Sequence, residues 1–332
     1  MNSKVILVTV VMLTLATIVL SQEQQPGANQ SNGGMKRGAL HDQPIEIGTV
    51  RWTRDLNNAM VASRETQKPV LVLFQEVPGC AGCQKFGREV LSNPLLVEAI
   101  ENEFVPVVVY NNRSSGTDAK LLKQFNEPAW NYQVIRFLDK SGKDIIPRKD
   151  HIWTVSAVAS RMIETLQTAG RPVPKYLSTL VSPPKPNHQM AAFAMYCFWT
   201  GEYELGRIDG VTATEAGWLD GHEVTLVHFD SKKLSLESLA RKAAEVRCAR
   251  KIYTTDGKPI SGLRLATGQL DRSYRRASES DQKRQLLRHP RLKEIPNLNA
   301  TQLTKLNAIV PRNVTQALAW LSPDQRQWLS KN

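Results

Sequence analysis

Apolar residues in this chain fall either in short continuous runs or at helical spacing, and the change from one pattern to the other marks its elements. Val70-Leu71-Val72-Leu73-Phe74 is an unbroken apolar run, the signature of a strand buried on both faces. Ahead of it, residues 55–67 set Leu56, Ala59, Met60 and Ala62 on one side of a helix that Lys68-Pro69 stops. Beyond it, Phe86, Val90 and Leu91 recur at helical spacing until Asn93-Pro94, and residues 95–102 predict a second helix. Residues 105–110 read as another apolar strand. Residues 133–138 alternate into Asp139-Lys140-Ser141-Gly142, a hairpin signal that predicts a return strand over 143–147. Residues 155–166 close the series as an amphipathic helix. That order predicts a small α/β sheet with helices on both faces.

A second series follows. Residues 189–198 are apolar and predict a strand, with a helix starting at Trp199. Residues 210–218 and 223–230 read as two more strands, the latter with clean alternation. Ser235, with Glu237 and Ser238 in the first turn, opens a helix over 235–249. Strand, helix, strand, strand, helix is a ferredoxin-like α+β order. The end of the chain has short amphipathic patterns at 281–287, 299–309, 314–321 and 323–329. Leu303, Leu306 and Ile309 share one face there, as do Ala317, Trp320 and Leu321, and both faces are expected to pack on the second series. The resulting division is 1–21, 22–44, 45–180, 188–275 and a helical tail at 276–332.

Length supports that division, since 332 residues accommodate two ordinary domains. At the N-terminus, Lys4 precedes an apolar stretch over residues 5–20. It is short of the ~20 residues a membrane span needs and suits a signal peptide or N-terminal anchor. Val19 and Ser21 are small enough for a cleavage site. The Gln-, Asn-, Gly- and Pro-rich residues 22–38 predict a flexible linker. The expectation is an extracytoplasmic protein, periplasmic or secreted. Its formal net charge is +12, yet the densest basic cluster, Arg272-Ser273-Tyr274-Arg275-Arg276, has one aromatic and no nucleic-acid module around it. Nucleic acid is therefore excluded as a partner, and the charge is assigned to surface that favours an anionic envelope.

Candidate chemistry starts directly after the first buried strand, at Val77-Pro78-Gly79-Cys80-Ala81-Gly82-Cys83. Two cysteines three apart at a helix N-terminus place their thiols one turn apart, the first in the positive field of the helix end, which stabilises a thiolate. An oxidising compartment also permits structural disulfides, but this spacing is too short to staple distant elements. The strand, the dithiol and the later Asn102-Glu103-Phe104-Val105-Pro106-Val107 resemble the thioredoxin superfamily, nearest to extracytoplasmic members with Val-Pro-Gly before the reactive residue. Some relatives of that type carry selenocysteine first, so the resemblance marks Cys80 as nucleophile and Cys83 as resolving thiol. Gly79 stands where thioredoxins usually have Trp, and Ala81-Gly82 where they have a Pro. The place of their cis-proline falls at Tyr132, after Asn131, and the nearest proline is Pro128. The substrate-facing loop is thus expected to be altered.

In the second series, Cys197-Phe198-Trp199-Thr200-Gly201-Glu202 resembles the Gly-Cys-Phe-Trp-Gly-x-Glu signature of type A methionine sulfoxide reductases. Gly210-Val211, Gly217-Trp218, His222-Glu223 with Asp230, and Leu234 to Leu239 continue that likeness in order. The resemblance implies that Cys197 attacks a sulfoxide sulfur while Glu223 donates a proton to the oxygen. Phe198 and Trp199 would wall the methyl group, Trp218 would stand at the substrate beside them, and the sulfenic acid left on Cys197 would be resolved by Cys248 or by the Cys80/Cys83 pair. Tyr196 and Thr200 replace the family's glycines, which predicts an obstructed turn if positive φ is needed at Tyr196. Trp218 replaces a tyrosine, and Gly268-Gln269-Leu270-Asp271-Arg272-Ser273 only hints at a later family segment.

No cofactor and no metal are expected, because the His and Cys residues show no ligand spacing. The implied partners are proteins with disulfides or oxidised methionine and an upstream thiol electron donor. Two other readings stay open: a disulfide reductase or isomerase whose second domain only binds, and an inert envelope protein with all four cysteines oxidised.

Overall fold

The computed structural model describes residues 43–129, 133–183 and 186–332. The signal or anchor stretch, nearly all of the linker, and Asn131-Tyr132 lie outside the described residues. Residues Asp42–Asn332 form one compact unit that carries two sheets.

The first sheet grows around the apolar run. Helix α1 (Leu56–Thr66) is capped by Asp55, whose side chain accepts from the Asn58 amide, and it feeds β1 (Val70–Gln75), buried along its whole length. The chain continues through α2 (Ala81–Glu89), α3 (Pro94–Glu103), β2 (Val105–Tyr110) and α4 (Gly116–Phe125). It then forms β3 (Val134–Leu138), β4 (Lys149–Asp150), α5 (Val155–Thr168) and α6 (Lys175–Ser178). Strand order is β2-β1-β3-β4, with β2 parallel to β1 (Val70 opposite Val105) and β3 antiparallel to it. Because β1 is central, its alternate residues enter two cores. Leu71 and Leu73 meet Phe86, Ile100 and Met162 on one face, and Val70, Val72 and Phe74 meet Leu56 and Leu121 on the other.

Two expectations change here. The return strand does not run over 143–147: Asp144 makes only an isolated bridge to Leu138, and pairing resumes at β4. Backbone bonds from the Asp139 amide to the Lys143 carbonyl and from the Ile145 amide to the Phe137 carbonyl still close the turn, but Pro147 has no amide to extend the ladder, and the Arg136 guanidinium binds Asp144 and Glu127 beside it. Helix α4 was not anticipated, because Gly116-Thr117-Asp118 gives a weak start and only Leu121, Leu122 and Phe125 mark its apolar side.

The second sheet comprises β5 (His188–Ala194), α7 (Phe198–Leu205), β6 (Val211–Leu219), β7 (His222–Asp230), α8 (Leu236–Glu245), β8 (Lys251–Thr254), β9 (Ala266–Gln269) and β10 (Arg275–Arg276). Its order is β10-β6-β7-β5-β8-β9. The inner four strands, all antiparallel, have the ferredoxin-like order, and β9 adds in parallel beside β8. β5 ends at Ala194 rather than at 198, which frees Cys197 to cap α7, and α8 ends at Glu245 rather than at 249. A two-residue turn, Asp220-Gly221 with φ of 50° and 75°, joins β6 to β7, the left-handed pair that hairpin twist favours.

The tail carries α9 (Pro290–Glu294), α10 (Ala300–Ile309), α11 (Val314–Leu318) and α12 (Pro323–Lys331). The helix expected over 281–287 is instead two short 3-10 turns. The tail does cover the second sheet, where Thr304 accepts from the Thr214 amide and Gln282 both donates to and accepts from Ala216 on β6, but the two apolar faces expected to pack there, Leu303/Leu306/Ile309 and Ala317/Trp320/Leu321, meet in a core of the tail's own. It also reaches the first sheet's helices, where the Asp324 amide donates to Glu98 of α3 and Asn299 donates to Thr179 just after α6.

Candidate functional site

Cys80 is the N-cap of α2, exposed, and Cys83 lies one turn in, buried, with the sulfurs 3.4 Å apart. Neighbouring segments fix this placement. Asn112 donates to the Pro78 carbonyl and accepts from the Val77 amide, while Arg113 donates to the Val77 carbonyl. The Val77-Pro78 peptide is cis. Buried Glu46, from the turn Ile45–Ile47, accepts from the Gly79 amide at 2.9 Å. Glycine is required at 79, because a Cβ would strike the Glu76 carbonyl and come within 2.7 Å of the Cys83 Cβ. A tryptophan before the dithiol has no room here. Trp153 supplies an indole from elsewhere, edge-on to Phe86 at 5.9 Å. A Cβ on Gly82 would sit 3.8 Å from that indole and 3.7 Å from the Cys80 sulfur.

The two thiols are pushed in opposite directions. The Cys83 amide, then the Cys83 thiol, hydrogen-bond the Cys80 sulfur and hold its pKa below the ordinary thiol value. Burial, then donation to Cys80 and the charge of Glu76, push Cys83 up to about 12. The Cys83 sulfur also donates to Glu76 Oε2 at 3.5 Å. The outer thiol is thus the more readily ionised of the two, and the inner one the more strongly protonated. Among the described residues, Glu76, Cys80 and Cys83 are the one trio of His, Cys, Asp or Glu side chains whose donor atoms all lie within 4.8 Å. Glu76, Glu46 and Trp153 were missed in the sequence. Glu76 had a faint signal in its position between the apolar run and the dithiol, whereas Trp153 is distant and had none.

At the second centre, Cys197 is half-buried and caps α7. Glu223, the second residue of β7, lies directly opposite Trp218 on β6, and its Oε2 accepts from the Phe198 amide at 2.9 Å. That bond seats the Glu223 carboxyl group at the same helix N-terminus that Cys197 caps. Phe198 packs edge-on to Trp218 at 5.6 Å and to Trp199 at 5.8 Å. The structure thus gathers Cys197, Phe198, Trp199, Trp218 and Glu223. The turn is not obstructed: Tyr196 has no positive φ and stands 83% exposed, with Arg250 over its ring. Glycine is needed at 201 instead, where a Cβ would run into Thr225 and Met195.

Cys248 is 1% exposed, inside the core of the second sheet. Burial, then the charges of Glu204 and Cys197, push its thiol up to about 11. No hydrogen bond or ring contact among the described residues links Cys80 or Cys83 with Cys197. Tyr274, replacing no predicted residue, covers Gly217, but its hydroxyl is donated to Glu215.

Residues 51–139 match the thioredoxin-like family model and form a thioredoxin-like domain. The chain is 28% identical over 121 residues to a peptide methionine sulfoxide reductase of Brassica napus, covering 30% of this chain and 47% of that protein. It is 44% identical over 66 residues to one of Fragaria ananassa, covering 20% and 32%. The chain thus spans less than half the length of these curated relatives. Among solved structures, it aligns with a DsbH oxidoreductase at TM-score 0.31 and 17% identity, over 39% of this chain and 93% of that one. It also aligns with methionine sulfoxide reductase A of Corynebacterium diphtheriae at TM-score 0.26 and 15% identity, over 36% and 86%.

Proposed function

We propose that this chain, a thioredoxin-like domain joined to a portion that shares sequence with peptide methionine sulfoxide reductases, is a thiol-dependent oxidoreductase with two sulfur centres. The observation that carries the reading is the polarised pair Cys80/Cys83, two sulfurs 3.4 Å apart with the inner one the more strongly protonated. The Cys80 thiolate attacks a substrate disulfide, and Cys83 then releases the mixed disulfide by closing the Cys80–Cys83 bond. Glu76 is placed to take the Cys83 proton as that bond forms.

At the second centre, the Cys197 sulfur attacks the sulfur of a methionine sulfoxide in a protein substrate. Glu223 delivers a proton to the departing oxygen from Oε1 while Oε2 keeps its bond to the Phe198 amide. Methionine leaves and Cys197 is left as a sulfenic acid. A second thiol condenses with that acid, releasing water and forming a disulfide that the Cys80/Cys83 pair can reduce by exchange. Cys248 is one candidate for that thiol, and its burial requires local opening before it can react. Export, suggested by residues 5–20, would supply an oxidising compartment in which such repair is needed.

The test is reduction of a methionine S-sulfoxide peptide by the full-length protein with dithiothreitol, beside the Cys197→Ser and Cys80→Ser variants. Turnover abolished by Cys197→Ser but kept by Cys80→Ser under dithiothreitol supports the second centre. Loss of the Cys80→Ser variant alone, when a thioredoxin-type donor replaces dithiothreitol, supports the relay. A second reading, with the dithiol acting alone on disulfides, is favoured by Trp218, which has no hydroxyl to offer a sulfoxide oxygen. Sulfoxide turnover absent from the wild type, with insulin disulfides still reduced, would select it.

A further inference from the structure

We propose that the reduced dithiol and Glu76 form a three-ligand site for a soft divalent cation, Zn2+ in particular, with the fourth position open to solvent. The proposal shares two thiols with the redox reading but does not rest on it, since binding requires no electron transfer.

The argument starts from distances. With Zn–S near 2.3 Å and Zn–O near 2.0 Å, a tetrahedral site has an S···S edge of about 3.8 Å and an S···O edge of about 3.5 Å. Here the Cys80 and Cys83 sulfurs are 3.4 Å apart, and the Cys83 sulfur lies 3.5 Å from Glu76 Oε2. All three donor atoms lie within 4.8 Å of one another. The S···O edge already matches, and the S···S edge needs a few tenths of an ångström, which a small rotation of exposed Cys80 supplies. The third ligand is on a short tether: the Cys80 amide donates to the same Glu76 oxygen at 3.3 Å, so the carboxylate is aimed at the sulfur pair rather than into solvent. Glu46, the other nearby carboxylate, is engaged by the Gly79 amide.

The donor set is mixed. Two thiolates favour Zn2+ over the hard cations Mg2+ and Ca2+, and a single carboxylate completes a face. On binding, any protons remaining on the two thiols pass to solvent, and no electron moves. Cys80 is exposed while Cys83 is buried, so the cation would enter from the Cys80 side and keep its vacant position toward solvent, as in three-ligand zinc sites. Both sulfurs are then occupied, so a bound cation and the Cys80–Cys83 disulfide exclude each other.

The experiment uses the full chain, reduced with a phosphine, stripped of metal, and confirmed by thiol counting to hold four free thiols. Co2+ is titrated as a spectroscopic probe, then displaced by Zn2+. One Co2+ per chain is expected, with a near-ultraviolet thiolate-to-metal charge-transfer band and visible bands of tetrahedral cobalt, both bleached by one equivalent of Zn2+. Cys80→Ser, which retains a capping residue, should abolish the charge-transfer band. Even outer partners of metal ligands are worth about 10–100-fold in affinity, so Glu76→Gln, which loses a ligand, should weaken Zn2+ binding at least ~10-fold. Cys197→Ser should leave the spectrum unchanged.

Absence of the band in the folded, fully reduced wild type would overturn the site. So would a band that survives Cys80→Ser, one that disappears in Cys197→Ser, or Zn2+ affinity unchanged in Glu76→Gln. Disulfide turnover is read separately, so failure of the metal site and failure of the redox reading give different results.

Discussion

At the residue scale, the dithiol shows how neighbours divide one chemical type into two roles. Cys80 and Cys83 are identical groups, yet amide and thiol donors hold the outer pKa down while burial drives the inner one up to about 12. Cys248, deep in the other core, is pushed up to about 11. Brief alkylation with iodoacetamide between about pH 7 and 8 should therefore modify Cys80 first. Cys83 and Cys248 should stay protected until the chain is unfolded, as read by peptide mass mapping. The sign for stability follows from the same shift. Native Cys83 gives up its proton later than the unfolded thiol, so its contribution is complete below the ordinary thiol pKa and is lost as pH rises toward about 12. Gly79 belongs to this scale too, since the close approach of Glu76 and Cys83 leaves no space for a side chain there.

At the element scale, α7 is the piece on which the second centre depends, and both its ends are managed. Its N-terminus holds Cys197 and receives Glu223. At its C-terminus the buried Lys305 ammonium donates to the Gly206 and Ile208 carbonyls, with its pKa lowered by burial to about 8. Inside the helix, Glu202 is fully buried and paired with Lys283 at 2.6 Å, while the Lys283 amide also donates to it. Removing one partner of a buried pair leaves an uncompensated charge, so Lys283→Met should cost about 3–5 kcal/mol in urea denaturation. The double variant Lys283→Met/Glu202→Leu should recover most of that loss. The helix itself was legible from Trp199 to Leu205, although Cys197 and Phe198 were read into the preceding strand. The partner of its buried glutamate was not, because 81 residues separate them and no local pattern connects a surface-like lysine to a helix interior.

At the scale of the whole molecule, the tail joins what the chain's two series build separately. Gln282 and Thr304 satisfy the edge of β6, which would otherwise present unpaired backbone groups. Asn299 and Asp324 reach the helices of the first sheet. Deleting residues 299–332 should therefore expose both β6 and the face of α7, giving a chain that aggregates on expression and lacks a single cooperative thermal transition. A soluble product with an unchanged melting curve would contradict this role.

What the sequence determined by itself is local and periodic. The β1 run, the helices that follow it, the paired cysteines, and the α7 motif with its two partner strands all follow from spacing that acts within a few residues. The order of those elements was enough to name both sheet types. What only tertiary structure decided is long-range. Asp144 is reduced to an isolated bridge, Trp153 comes to lie beside Gly82 of the dithiol turn, and Glu223 is brought to the α7 N-terminus by cross-strand register. Sheet pairing and burial choose such neighbours among residues tens of positions apart, and a free-energy balance of that kind leaves no trace in hydrophobic period or local propensity.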